Sequence, residues 1–104
     1  MADIAIEIDK DKLRDFCRRW KITEFALFGS VVREDFRPES DVDVLVTFAP
    51  GAPWSLFHMV DMQEELEAMF GRSVDLLTRN GVERSLNRFR REAILDSAVT
   101  LDVA

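Results

Sequence analysis

The stretch "ALFGSVVREDFRPESDVDVLVTF" sets Asp41 and Asp43 two residues apart inside an apolar run that otherwise reads as a strand. Side chains at i and i+2 of a strand project to one side, ~7 Å apart along the chain. A third carboxylate, Asp75, stands inside another apolar run, "SVDLLT". Two bare carboxylates ~4 Å apart repel by ~4 kcal/mol at an effective dielectric near ~20. Such a group persists where a cation joins it or protons are taken up. All-oxygen ligation shared with substrate phosphates suits Mg²⁺, and two ions held this way stabilise the entering and leaving oxygens of an in-line phosphoryl displacement.

Gly29-Ser30 supplies a second half to that chemistry. A glycine after a strand lets backbone approach a ligand closely, and a serine there can cap a short helix whose free N–H groups face an anion. Gly-Ser, ten residues, then Asp-Val-Asp therefore reads as a phosphate cradle followed by a metal clamp. Neither piece is specific alone, since Gly-Ser is ordinary turn chemistry and a lone Asp-x-Asp is more often an exposed strand face. Their combination with Asp75 is the signal.

The elements that must hold these residues follow from periodicity. Leu13, Phe16, Cys17 and Trp20 fall at i, i+3, i+4 and i+7, the stripe of an amphipathic helix over 10–20 with Asp9 as its N-cap. Cys17 lies in that stripe and is read as a small core residue rather than a nucleophile. Residues 24–28 form a first strand. Residues 41–48 form a second, half-buried strand with Val42, Val44, Val46 and Phe48 on one face and Asp41, Asp43, Leu45 and Thr47 on the other. After the turn residues 49–53 comes a helix over 54–70, in which Met59, Met62 and Met69 pack core, closed by Gly71. Residues 73–78 make a third strand. A helix over 82–97 follows, with Leu86, Phe89 and Ala93 on one face and Arg84, Arg88 and Arg91 on another. That arginine stripe is ordinarily a solvated face, and alternatively grips an acidic partner or a triphosphate. The single histidine, His58, is read as a surface or half-buried helix residue rather than a base. The order helix, strand, short helix, strand, helix, strand, helix predicts one α/β (α+β) domain spanning 1–104, with a small mixed sheet flanked by helices. Strand order is left open, and the last residues, "TLDVA", are strand or tail.

Composition excludes several classes of function. The net charge of −6 argues against general nucleic-acid binding. One cysteine removes an internal disulfide and the usual zinc spacings. The apolar runs are too short to span a bilayer and the N-terminus does not read as a signal peptide, so the expected location is cytoplasmic.

Gly29-Ser30, Asp41-Val42-Asp43 and Asp75 in "VDLL" resemble the DNA polymerase β-like nucleotidyltransferase superfamily. Nearly the whole chain, from "LRDFCRRWKITEFALFGS" to "RREAILDSAV", is similar to its shortest branch, the minimal nucleotidyltransferases. The resemblance implies that Gly29 and Ser30 bind a triphosphate and that Asp41 and Asp43 hold two Mg²⁺ ions. It implies that Asp75 completes the metal site and helps activate the attacking hydroxyl. Arg33 matches an arginine of the branch that contacts phosphate or partner, and Ser40 matches the residue before the paired aspartates. Glu34-Asp35 departs from the Arg-Gly of many relatives. The branch is best known as the antitoxin half of toxin–antitoxin pairs, moving AMP from ATP to a tyrosine hydroxyl of a HEPN-domain toxin. The expectation is therefore an Mg²⁺-dependent protein adenylyltransferase. A non-catalytic antitoxin that neutralises its partner by binding is the alternative, and transfer to a small molecule such as an aminoglycoside is a third reading.

Overall fold

Asp9 opens the first helix with its side chain, which accepts the backbone N–H groups of Asp11 and Lys12 at 3.1 and 3.2 Å. In this computed structural model, which describes residues 8–29 and 41–101, helix α1 then runs Lys10–Arg19. It buries Leu13, Phe16 and Cys17, the stripe expected from spacing. Strand β1 (Ile22–Phe28) and strand β2 (Val42–Phe48) follow, with residues 30–40 and the short helix expected there outside the described residues. Helix α2 is Leu56–Phe70 and β3 is Val74–Thr78. Helices α3 (Arg79–Glu83) and α4 (Arg88–Ser97) and strand β4 (Val99–Leu101) complete the order.

The sheet order is β3-β2-β1-β4. β1 pairs antiparallel with both β2 and β4, whereas β2 and β3 are parallel. A parallel pair needs a crossover, and α2 provides it. Its first turn is held by His58, whose Nδ1 accepts the Ser55 N–H at 2.9 Å. Its end is set by Gly71, in the left-handed conformation at φ 69°.

Helices cover both faces of the sheet. On one face Leu13, Phe16 and Cys17 of α1 and Met62 and Leu66 of α2 pack on Phe25, Leu27, Val42, Val44, Val46, Val74 and Leu76. Met59 and Met69 are partly buried against the same core. Two tryptophans lock the helix ends: Trp20 Nε1 donates to Glu65 at 2.6 Å and Trp54 Nε1 donates to the Trp20 carbonyl at 2.6 Å. On the other face a smaller core joins Ala26, Phe28 and Leu45 to Val82 of α3 and Ile94 of α4.

Three expectations are corrected. The helix expected over 82–97 is two helices, because the first ends at Glu83 and Asn87 caps a new one, its side chain accepting the Arg90 N–H at 3.1 Å. Leu86 and Phe89, expected on an apolar helix face, are instead exposed at 101% and 85%. Strand β2 is not half buried: Leu45, on the face opposite the valines, is 2% exposed because α3 and α4 cover that side. The ambiguous C-terminus contains a strand, with Leu101 opposite Phe25.

Burial pushes the Cys17 thiol from its ordinary 9.0 up to about 12. An unfolded thiol ionises from about 9 upward while the native one keeps its proton, so its share of stability is complete below that pH and is lost as pH rises toward 12. Cys17 in the folded chain should therefore resist Ellman's reagent at pH 8 and react on urea unfolding. Prompt reaction in the native state would show the α1 core to be open.

Candidate active site

The N-terminal ends of β2 and β3 lie together because the strands are parallel. The Val42 N–H donates to the Ser73 carbonyl at 2.9 Å, which starts the pairing. The register then runs Val42 opposite Val74 and Asp43 opposite Asp75. Registered neighbours on adjacent strands project to the same face with backbones ~4.8 Å apart, so the carboxylates of Asp43 and Asp75 stand side by side. Both lie on the face that carries Leu45 and Leu77 farther along. Asp43 is half-buried, Asp75 is exposed, and exposed Asp41 immediately precedes β2.

The C-terminal end of β1 reaches the same place from the opposite direction, since β1 is antiparallel to β2 and Phe28 pairs with Asp43. Gly29 is the next residue, at φ 72°. A Cβ there would collide with Asp43 Oδ2 and lie 3.2 Å from its Cγ. Glycine is thus required twice, by backbone conformation and by the carboxylate packed against it. The glycine turn and the acidic clamp inferred separately from spacing form one contact. Ser30, Arg33 and Ser40 lie outside the described residues.

One supporting residue gave no sequence signal. Glu67, on α2, accepts the Val74 N–H through Oε2 at 3.1 Å. It thereby fixes the entry of β3 one residue before Asp75. In the sequence it is one acid among several in "DMQEELEAMF", indistinguishable from a solvated helix residue.

The donor set suits a hard divalent cation: carboxylate oxygens only, two of them on registered strand neighbours, at a rim where substrate oxygens and water can complete the shell. Among the described residues no group of three His, Cys, Asp or Glu side chains already stands so that it could hold a metal ion. The fit therefore rests on the Asp43–Asp75 pair and the glycine beside it.

The profile of the nucleotidyltransferase domain family matches residues 10–101. The chain belongs to this family and is a nucleotidyltransferase of the minimal, polymerase β-like kind. It is 36% identical over 77 residues to the protein adenylyltransferase MntA of Thermococcus cleftensis, covering 74% of this chain and 73% of that one. It is 33% identical over 90 residues to a candidate protein adenylyltransferase of Methanocaldococcus jannaschii, covering 86% and 90% respectively. A solved structure described as a candidate minimal nucleotidyltransferase matches at TM-score 0.64 and 30% identity, covering 91% of this chain and 98% of that one. A chain in the solved complex of tri-AMPylated Shewanella oneidensis HEPN toxin with MNT antitoxin matches at TM-score 0.58 and 19% identity, covering 88% and 66%. At that identity the last match establishes shared fold.

Replacing Gly29 with Ala should cost about 1–2 kcal/mol in urea unfolding from the left-handed backbone alone. Nucleotidyl transfer should fall by more than that loss of stability explains, because the new methyl displaces Asp43. A variant with wild-type stability and rate would show that the glycine does not pack against the carboxylate.

Proposed function

We infer that the chain is a protein adenylyltransferase of a toxin–antitoxin pair, moving AMP from ATP to a tyrosine hydroxyl of a HEPN-domain toxin and silencing it in the cytoplasm. The observation that carries this reading is the register of Asp43 opposite Asp75 with Gly29 packed against Asp43. Relatives named as protein adenylyltransferases support the AMP donor and the protein acceptor. The Shewanella complex of an AMPylated HEPN toxin with an MNT antitoxin supports the partner.

In this reading Gly29 and Ser30 cradle the triphosphate, with Arg33 and Ser40 beside it. Asp43 and Asp75, with Asp41 joining them, would hold two Mg²⁺ ions. Those ions, when bound, supply charge neutralisation at the entering and leaving oxygens. Asp75, exposed at the rim, takes the proton from the incoming hydroxyl as its oxygen attacks the α-phosphorus. The α–β bridging oxygen leaves with pyrophosphate on the opposite side. The rest of the rate comes from positioning, since in-line attack by a held hydroxyl saves the entropy of a bimolecular encounter. The second reading, neutralisation by contact alone, draws on the exposed Leu86 and Phe89.

Co-purification with the protein encoded beside its gene, addition of ATP and Mg²⁺, and intact-mass measurement test the assignment. An AMP-sized gain on the partner is expected, reduced about a hundredfold or more in rate by Asp43→Ala. An Asp43→Ala chain that neutralises the toxin as well as wild type, with no mass gain in either, would make this an antitoxin that works by binding.

A further inference from the structure

One edge of the sheet carries a feature that the reaction chemistry leaves unused. Among the described residues β3 is an edge strand, and beside its C-terminal half lies an apolar groove of about 410 Å³. One wall is the start of α2, with Leu56 and Met59. The floor includes Leu77 and Val82, and the far wall is α4, with Arg90 and Ile94. Leu77 lies two residues, ~7 Å, along β3 from Asp75.

Leu56 lines the groove, and three further large apolar residues, Phe57, Leu86 and Phe89, each adjoin a lining residue in the chain. Leu56 and Phe57 are 83% and 84% exposed on the α2 side, while Leu86 and Phe89 stand fully open where the chain enters α4. Packing among the described residues does not explain them, and exposed apolar clusters of this kind are typical of contact surfaces. Its charge identifies what it contacts. Among the described residues, Arg88 is paired with Glu92 and Arg79 with Glu83, but Arg84 and Arg90 have no carboxylate partner. This cationic margin belongs to a chain of net charge −6. Two copies meeting symmetrically through the patch would set arginines against arginines, which opposes that pairing.

We propose that the groove between α2 and α4 receives an amphipathic helix of the protein acceptor, apolar on the entering face and lined with Asp and Glu along its flanks. A helix fits a groove between two helices through anchors at i, i+3, i+4 and i+7, and Leu86 and Phe89 close over its apolar face while Arg84 and Arg90 meet its acids. This rests on the reading of the chain as an enzyme with a protein acceptor. It adds where that acceptor is gripped, beside the strand that carries Asp75.

The test uses the full chain and the protein encoded beside its gene, with Leu86→Ser/Phe89→Ser and Arg84→Glu/Arg90→Glu as variants, all at exposed positions. Circular dichroism and binding of a non-hydrolysable ATP analogue with Mg²⁺ should match wild type. Affinity for the partner should fall roughly 30-fold or more in each double variant, with a raised KM for AMP transfer and an unchanged kcat at saturating partner. Asp43→Ala should do the reverse, binding normally while its rate of transfer falls about a hundredfold or more. Wild-type affinity in both double variants, or no complex with wild type, would overturn the groove assignment. So would light scattering that shows self-association abolished by the same variants, because the occupant would then be a second copy. Loss of affinity without any AMP transfer by wild type would keep the groove and overturn the transferase reading.

Discussion

The parallel pairing of β2 with β3 is the constraint on which the site depends. It alone brings Asp75 to Asp43, residues 32 positions apart in the chain, and the pairing is held by one short ladder in that exact register. Like charges directly opposite one another on neighbouring strands are unfavourable, so the pair is imposed by what surrounds it. Val42, Val44 and Val46 are fully buried on one side of β2 and Leu45 on the other, and none of them can leave its position without exposing apolar surface. The Ser73 carbonyl and the Glu67 carboxylate hold the first N–H groups of the two strands. The acids sit at the rim, where Asp75 remains in water and its hydration offsets part of the repulsion.

Register in the antiparallel half matters for the same reason. A slip of one residue between β1 and β2 would carry every side chain of the strand to the opposite face. It would also remove Gly29 from Asp43. The core residues that prevent this, Phe25, Leu27 and Val44, are the ones that any stable sheet of this kind needs. Stability and chemistry therefore share one set of contacts up to the last strand residue. They part at Gly29, whose lack of a side chain serves the site rather than the core.

Much of this was legible in the sequence, and what was not has physical causes. Helix α1 was readable because Leu13, Phe16 and Cys17 keep helical spacing and Asp9 is a capping residue; the turn at Gly71 was readable for a similar reason. Gly29 was read as a place where backbone approaches a ligand, but its contact with Asp43 depends on a register that periodicity does not encode. Asp43 interrupts the apolar pattern of β2, and the strand therefore read as half buried although Leu45 is covered. The break between α3 and α4 was signalled by Asn87, a capping type, yet the spacing of Leu86, Phe89 and Ala93 favoured one continuous helix. Periodicity cannot tell a face buried in the chain from one left for a partner, which is why Leu86 and Phe89 were misplaced.

The two faces of the sheet differ in how much core the described helices bury against them. The face under α1 and α2 holds the larger core, tied by Trp20, Trp54 and Glu65. The face under α3 and α4 holds a smaller core and leaves large side chains outside it. Asp43 and Asp75 project from this second face, and the groove opens at the edge of the same strand that carries Asp75. If the proposed acceptor docks on the second face and finishes its packing, apolar burial and the placement of a hydroxyl near Asp75 draw on the same contact. Binding energy gained along the groove would then act on orientation at the rim, which is where an in-line transfer needs it.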